Sequence, residues 1–364
     1  MFKKQISMLL VILLVAVFAF TGCKSTAVTP PVTTPPTDTT PPVTTPPTDT
    51  TPPVVTTDPT IPTDTTPKVI GVSVPSADHG WTGGIVYYAQ KAIADWKIKD
   101  PNTTFKLVLA DTAQKQVSDV EDLMAQGIDG LVILPYDSAT LTPVVGEVKK
   151  AGKYVVVIDR GVLPPVFADV YIAGDNYAFG KQSAEFMVKK LNGKGNILIM
   201  EGIPCQVNTD RVTGFKDVLK AYPNIKILAD QPANWSRDTG LKLMENWLQQ
   251  FKTINAVWAG DDDVALGAIQ AINEAKRETE MFIVPGAGMK DIVKMVMDGS
   301  DFVPCDVTYP VSMAATAITL GVYGVRNMPV PGFYQSTVPA KVILSADLIT
   351  KENAAKYYVP DSIY

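Results

Sequence analysis

Two clusters of charged residues in this chain have the types and placement to hold a polar molecule. Asp159 and Arg160 adjoin at the end of the apolar run YVVVI, and Asp261-Asp262-Asp263 closes the run AVWAG. A carboxylate accepts hydroxyl hydrogens and a guanidinium donates to oxygens, so an Asp-Arg pair at a strand end can grip a hydroxyl-bearing ligand. It can equally serve as a strand-end salt bridge or a helix cap. Three carboxylates ahead of the helical stretch VALGAIQAI suit the helix dipole and can cap it, which is a sufficient structural reason for at least one of them. Arg211, in NTDRVTGF, stands just inside a predicted helix, where a first-turn surface arginine is the ordinary alternative. Trp81 in the first loop and Trp235 in ANWSRDTG offer aromatic planes; loop packing and a helix-start staple are their bland readings.

Other chemistry is poorly supplied. His79 is the single histidine, and the three cysteines Cys23, Cys205 and Cys305 are far apart with no CxxC pair. That argues against a zinc or redox site. No GxSxG is present, no GxxxxGK[ST], and after the first strand VPSADHGW stands in place of a glycine-rich phosphate loop, so neither a nucleotide cofactor nor a nucleophile-base pair is expected. The expectation is a protein without a cofactor that is not an enzyme. A net charge of -5 with scattered Lys and Arg leaves no basic stripe for phosphates, and no nucleic-acid partner is expected.

The elements that must position these residues are legible as an alternation. VIGVSV, FKLVLAD, GLVILP, YVVVID and VYIAGD are short β-branched runs separated by amphipathic helical stretches, and the series restarts with GNILIME, IKILAD, AVWAGD and MFIVPG. Such runs read as parallel strands covered on both faces, giving an α/β chain with two doubly wound domains. Ligands of these sheets sit beyond the carboxyl ends of the strands, where Asp111, Pro135, Asp159, Asp175, Asp230 and Asp261 fall. With 364 residues the chain is long enough for both domains.

Ahead of them lies a different kind of sequence. Lys3 and Lys4 precede an apolar run from about residue 6 to 20 that is short for a membrane span, as in a secretory signal peptide. It ends in Phe20-Thr21-Gly22-Cys23, which resembles the lipobox of bacterial lipoproteins with Phe20 in place of the usual Leu. The resemblance implies a signal peptide over 1–22, cleavage before Cys23 and acylation of its thiol. From there to residue 67 the chain is almost all Thr, Pro, Val and Asp, with PPVTTPPTDTT standing twice, and reads as an extended tether.

The folded region resembles the ribose-binding group of type I periplasmic binding proteins over nearly all of 68–364. IGVSVPSADHGW, GIDGLVILPYDS, VVVIDRG, AGDNYAFGKQSAEFM, EGIPCQVNTDRVTGF, DQPANWSRDTGL and AVWAGDDDVALGAIQAI carry the likeness. It implies an extracytoplasmic, membrane-anchored, monomeric capture protein that delivers a monosaccharide to an ABC permease and its ATPase; a receptor-linked sensor of a sugar or furanose-like autoinducer is the alternative. It also implies two lobes joined by three hinge crossings, near 174–175, 307–309 and 337–340. The lobes would be 68–174 with 309–336 and 175–308 with 337–364. Ligand contacts carried over are His79, Trp81, Asp159, Arg160, Arg211, Trp235 and Asp261, with Asp262 and Asp263 left as caps. Four positions depart from the ribose pattern: Thr82 for a second aromatic, Asp261 for an Asn, Ala287 for an Asp, and Thr308 for a Gln. Asp306, two residues before Thr308 and so on the same strand face, is expected to replace the lost carboxylate. Cys205 and Cys305 both fall near the hinge, and their pairing is left open.

Overall fold

The structure is a computed structural model and describes residues 64–77, 80–331 and 338–364. The signal segment 1–22, Cys23, most of the tether and His79 lie outside the described residues. The first lobe opens with β1 (Lys68–Pro75), α1 (Gly80–Lys99), β2 (Thr103–Ala110), α2 (Ala113–Ala125), β3 (Gly130–Ile133), α3 (Ser138–Lys150), β4 (Tyr154–Ile158) and β5 (Val170–Gly174). The second lobe holds α4 (Asn176–Lys190), β6 (Gly195–Glu201), α5 (Gln206–Leu219), β7 (Ile225–Pro232), α6 (Arg237–Gln250), β8 (Ala256–Ala259), α7 (Asp262–Glu274), β9 (Phe282–Val284) and α8 (Lys290–Met297). Then follow β10 (Asp306–Val307), α9 (Met313–Val325), β11 (Lys341–Leu344) and β12 (Leu348–Ile349).

All nine strands expected from the sequence are present. β3 and β8 are buried along their whole length and β4 from Val155 onward, as strands covered on both faces must be. Side chains alternate between the two layers of the first lobe. Leu131, Ile133, Val155 and Val157 pack among residues of α2 and α3, whereas Val132, Val156 and Ile158 face the core that includes α1 and α9. The sheet orders are β11-β5-β4-β3-β1-β2 and β7-β6-β8-β9, with every pair within them parallel. Each first strand thus lies inside its sheet, which places a topological switch point beside it at the carboxyl edge. Helix starts are capped by short polar side chains: Thr112, Asp137, Asp175, Ser236 and Asp261 each accept a backbone N–H of the first turn.

Two boundaries differ from the sequence reading. The sequence reading places residues 337–364 in the second lobe, yet β11 is the sixth strand of the first sheet, in parallel register with β5 from Lys341↔Tyr171 to Leu344↔Gly174. Its burial alternates, so one face of the strand covers the core while the other meets solvent; that half-exposed pattern is what an edge strand shows, and a polar loop follows it. Only β12 returns, pairing antiparallel with β10. The third crossing therefore falls at 345–347, beyond the expected 337–340. The tether also ends short of residue 67. Arg326, fully buried, forks onto Asp100 at 2.9 and 3.1 Å, and its Nη1 donates to the carbonyls of Asp64 and Thr66 at 3.0 and 2.6 Å. Residues 64–66 are thereby tied to the first lobe. Cys205, at the start of α5, and Cys305, in the buried core, are both free thiols.

Candidate functional site

The carboxyl ends of the strands converge on a cleft of about 300 Å3 lined by Trp81, Asp159, Arg160, Val207, Arg211, Trp235, Asp261, Ala287 and Tyr309. Six of these are residues the sequence singled out. Trp81 follows β1 and Asp159-Arg160 follow β4; Arg211 projects from α5 after β6, Trp235 follows β7, Asp261 follows β8 and Ala287 follows β9.

Three of these strand ends carry backbone in the left-handed region that side-chain-bearing residues rarely adopt: Asp159 at φ 57, Trp235 at φ 53 after Asn234 at φ 56, and Ala287 at φ 154. Such conformations cost about 1–3 kcal/mol each and persist only where the surroundings over-determine them. Here they do. Tyr171 donates its hydroxyl to the Asp159 carbonyl at 2.6 Å, Ser236 N–H closes on Ala233 O at 3.0 Å around Trp235, and Tyr309 N–H donates to Ala287 O at 3.1 Å.

Arg211 is 4% exposed and held on every side. Its Nε donates to Asn176 Oδ1 at 2.9 Å and its Nη1 to Gly260 O at 2.7 Å, while the Phe179 and Tyr309 rings lie 4.2 and 4.3 Å from the guanidinium carbon. Asn176 starts α4, so this bond requires α4 and α5 to pack at backbone contact. Gly180 and Gly214 permit it: a Cβ at either would collide with a carbonyl of the opposite helix. Arg160 donates from Nη1 to Tyr136 O at 2.6 Å, sits with Nε 3.8 Å from Asp159 Oδ2, and stands 6.0 Å from the Trp235 ring across the cleft. These distances leave a rigid set of donors and acceptors between two aromatic side chains, Trp81 and Trp235.

Asp306 and Thr308 do not line this cleft. Both are covered where the second crossing is hemmed in from two sides. Asp306 is fully buried and accepts Val307 N–H at 2.6 Å. Burial pushes its carboxyl up to about 7, against the pull of the N–H groups of Val307, Ala287 and Gly288. Thr308 bridges to Ala287 on one side and accepts Asp347 N–H at 2.8 Å on the other; it lines a separate cavity of about 530 Å3 with Tyr88, Tyr357 and Tyr364. Side chains alternate along extended chain, so the residue whose side chain reaches the cleft is the next one, Tyr309.

Tyr309 and Val207 are the lining residues that sequence reasoning missed. Val207 is an apolar residue on an amphipathic helix and carries no signal. Tyr309 is buried, with its ring tilted against Trp81 at 5.7 Å and its carbonyl accepting Trp81 Nε1–H at 3.1 Å. Burial and the neighbouring Asp159 carboxylate push its phenol well above the usual range, so it keeps its proton and donates it to Asp159.

The aspartate triplet also divides its work differently from the expectation. Asp261 lines the cleft and is itself the cap, accepting Asp263 N–H at 2.8 Å. Asp262 is fully buried and accepts Met289 N–H at 2.7 Å; burial, then Asp306, raise its pKa. Asp263 reaches across to the other lobe, where its Oδ2 accepts the N–H of Gly80 at 2.8 Å while Oδ1 holds Arg237 at 2.9 Å.

Comparison with known proteins agrees with this geometry. The periplasmic binding protein domain matches residues 70–323. A xylitol-binding protein of Mycolicibacterium smegmatis is 36% identical over 190 residues, 52% of this chain and 54% of that protein. The galactofuranose-binding protein YtfQ of Escherichia coli is 33% identical over 242 residues, 63% of this chain and 74% of that protein. The matched region thus spans about half the length of the first and three quarters of the second. Among solved structures, the crystal structure of a galactofuranose binding protein superposes with a TM-score of 0.71 at 26% identity, covering 82% of this chain and 100% of that one. With the family's domain matched over most of its length and the same parallel α/β lobes around a cleft, the chain belongs to the periplasmic binding protein domain family.

Proposed function

We propose that this protein captures one small, uncharged, polyhydroxylated molecule, a monosaccharide or related polyol, and presents it outside the cytoplasm to an importer of the ABC type. The observation that carries this reading is the composition of the cleft. Asp159 and Asp261 share the lining with Arg160 and Arg211, so the formal charges there cancel, and donors and acceptors stand beside the aromatic side chains of Trp81 and Trp235. A ligand with its own net charge would leave one of these buried ions unbalanced; a ring of hydroxyls both donates and accepts and leaves none. Relatives in the family bear names for xylitol and galactofuranose binding, which are ligands of this class. No observation favours the sensor alternative over delivery to a permease.

Acylation of Cys23 would hold the monomer to the membrane through the Thr/Pro tether. Replacing Cys23 by Ser should release the protein from the membrane fraction, and a variant that stays there refutes the lipid anchor. For the ligand, residues 64–364 are screened by thermal shift against monosaccharides and polyols, since a molecule that binds only the native state raises the melting temperature by mass action. A flat response across the panel would refute sugar capture.

A further inference from the structure

Tyr309 contacts four other residues that line the cleft, Trp81, Asp159, Arg211 and Ala287. It sits at the second crossing, its hydroxyl donates to Asp159 Oδ1 from the first lobe, and that hydroxyl accepts Asn176 Nδ2–H at 3.2 Å from the second. Phe179 meets its ring edge-on at 6.4 Å. Gly174 is a glycine because the ring occupies the space a Cβ would need. The phenol therefore cannot turn away from Asp159 without displacing its neighbours.

An ionised carboxylate has two oxygens and can hold two adjacent ligand hydroxyls side by side. With Oδ1 committed to the phenol, Asp159 has Oδ2, 3.8 Å from Arg160 Nε, to offer. We propose that Tyr309 is a specificity-determining residue: by occupying one oxygen of Asp159 it limits that carboxylate to a single ligand hydroxyl and leaves the neighbouring ligand oxygen to be read by Arg160 as an acceptor. The inference rests on the sugar-capture reading above and adds to it how the sugar is selected. The wild-type carboxylate then reads one ligand hydroxyl, where a free carboxylate would read two.

The test uses the tightest-binding sugar from the thermal-shift panel and its singly deoxygenated derivatives, with affinities measured by calorimetry for the wild type and for Tyr309→Phe. Freed from the phenol, Asp159 can accept a second hydroxyl, so discrimination against the deoxy derivative lacking that hydroxyl should rise by about fivefold or more, on the scale of one hydrogen bond. Discrimination at the remaining positions should stay within about twofold, well under the effect of one hydrogen bond. A uniform loss across the whole series would mean that Tyr309 merely supports the fold, and would overturn the proposal.

Asp159→Asn provides a second test that, as a single variant, does not depend on how Tyr309→Phe folds. Beside an intact Tyr309 the asparagine oxygen must accept the phenol, which turns its amide N–H2 toward the ligand and should weaken binding by about tenfold or more. In the double variant Asp159→Asn/Tyr309→Phe the amide can reverse, and part of the affinity should return. Additive losses in that cycle overturn the proposal. A wild type that binds no sugar at all overturns the sugar reading and this inference with it, an outcome plainly different from uniform loss in the variant.

Discussion

Asp263→Ala isolates the contribution of lobe closure to binding. The Asp263 carboxylate accepts the Gly80 N–H at 2.8 Å, and Gly80 opens α1 in the first lobe while Asp263 lies in the first turn of α7 in the second. The bond exists only when the lobes are together. A hydrogen bond to a charged group contributes about 1.5–3 kcal/mol, and an anion at a helix N-terminus gains roughly 0.3–1 kcal/mol more. When the lobes part, water solvates both ends, so the lower end of these figures applies, about 1.5 kcal/mol, or roughly tenfold in the closing equilibrium. Ligand affinity scales with the fraction of protein in the binding-competent state, so the variant should bind about five- to twentyfold more weakly. Most of the change should appear in the dissociation rate.

Stopped-flow dissociation and calorimetry on residues 64–364 measure both quantities. The variant should melt close to the wild type without ligand, because the same-lobe partner Arg237 is half exposed and such a pair contributes about 0–1 kcal/mol. Arg237→Ala, which leaves the bond to Gly80 in place, should keep the wild-type dissociation rate. If Asp263→Ala retains affinity within twofold while folded, the bond to Gly80 does not govern closure, and Asp263 reverts to the simple cap expected from the sequence.

Three further outcomes follow from the same structure. Arg211→Met removes a buried donor whose remaining partners, Asn176 Oδ1 and Gly260 O, lose their bonds; affinity should fall by about ten- to hundredfold, and calorimetric affinity within twofold of wild type would place the ligand elsewhere. Starting the chain at residue 68 instead of 64 strips Arg326 Nη1 of two carbonyl partners and should lower stability by about 1–3 kcal/mol without touching affinity, a difference that denaturant titration resolves. Asp306 has its carboxyl raised from 3.8 to about 7, so the folded state keeps a proton that the unfolded chain releases; stability is greatest below the lower value and falls as pH rises between the two, by up to roughly 4 kcal/mol. Asp306→Asn should flatten melting temperature against pH over that window, and an unchanged slope would assign the proton to another group.

How far the sequence foretold the site depends on which physical property placed each residue. Strand ends are marked by an apolar run stopping at a polar residue, and that edge is visible in YVVVIDR and AVWAGD, so Asp159, Arg160 and Asp261 were within reach. At the crossing DVTYP, the resemblance and strand-face alternation point to Thr308 and Asp306, whereas the cleft is lined by the next residue, Tyr309. Alternation says that Asp306 and Thr308 share a face and that Val307 and Tyr309 share the other, but the crossing is covered on both sides, by the Ala287-Gly288 turn and by residues 345–349. Polarity then no longer tells which face looks into the cleft. Asp306 is attractive for its charge, yet burial turns that charge inward, and the phenol of Tyr309, which the sequence does not single out, makes the polar contact. β11 was misassigned for a related reason: KVIL is a four-residue run whose hydrogen-bond partner lies about 170 residues away, and nothing local chooses between two sheets that both need an edge.

The strained strand ends and the lobe-bridging contacts belong to one physical scheme. Asp159, Trp235 and Ala287 each hold unfavourable backbone, at about 1–3 kcal/mol apiece, and each is locked by a bond that involves no ligand: Tyr171 to the Asp159 carbonyl, Ser236 to Ala233, Tyr309 to Ala287. Arg211 is locked likewise by Asn176 and Gly260. The side chains that meet the ligand are thus arranged by folding within each lobe, and the strain is met there instead of from binding energy. What folding within one lobe cannot arrange is the distance between Asp159-Arg160 and Arg211-Trp235-Asp261, because they sit on different lobes. Contacts that span the cleft hold that distance, among them Gly80 with Asp263 and Arg160 with Trp235. Substitutions among these spanning contacts should therefore act on closure and dissociation, whereas substitutions in the locking bonds of a single lobe, such as Tyr171→Phe, should act on the melting temperature and on the intrinsic fit together.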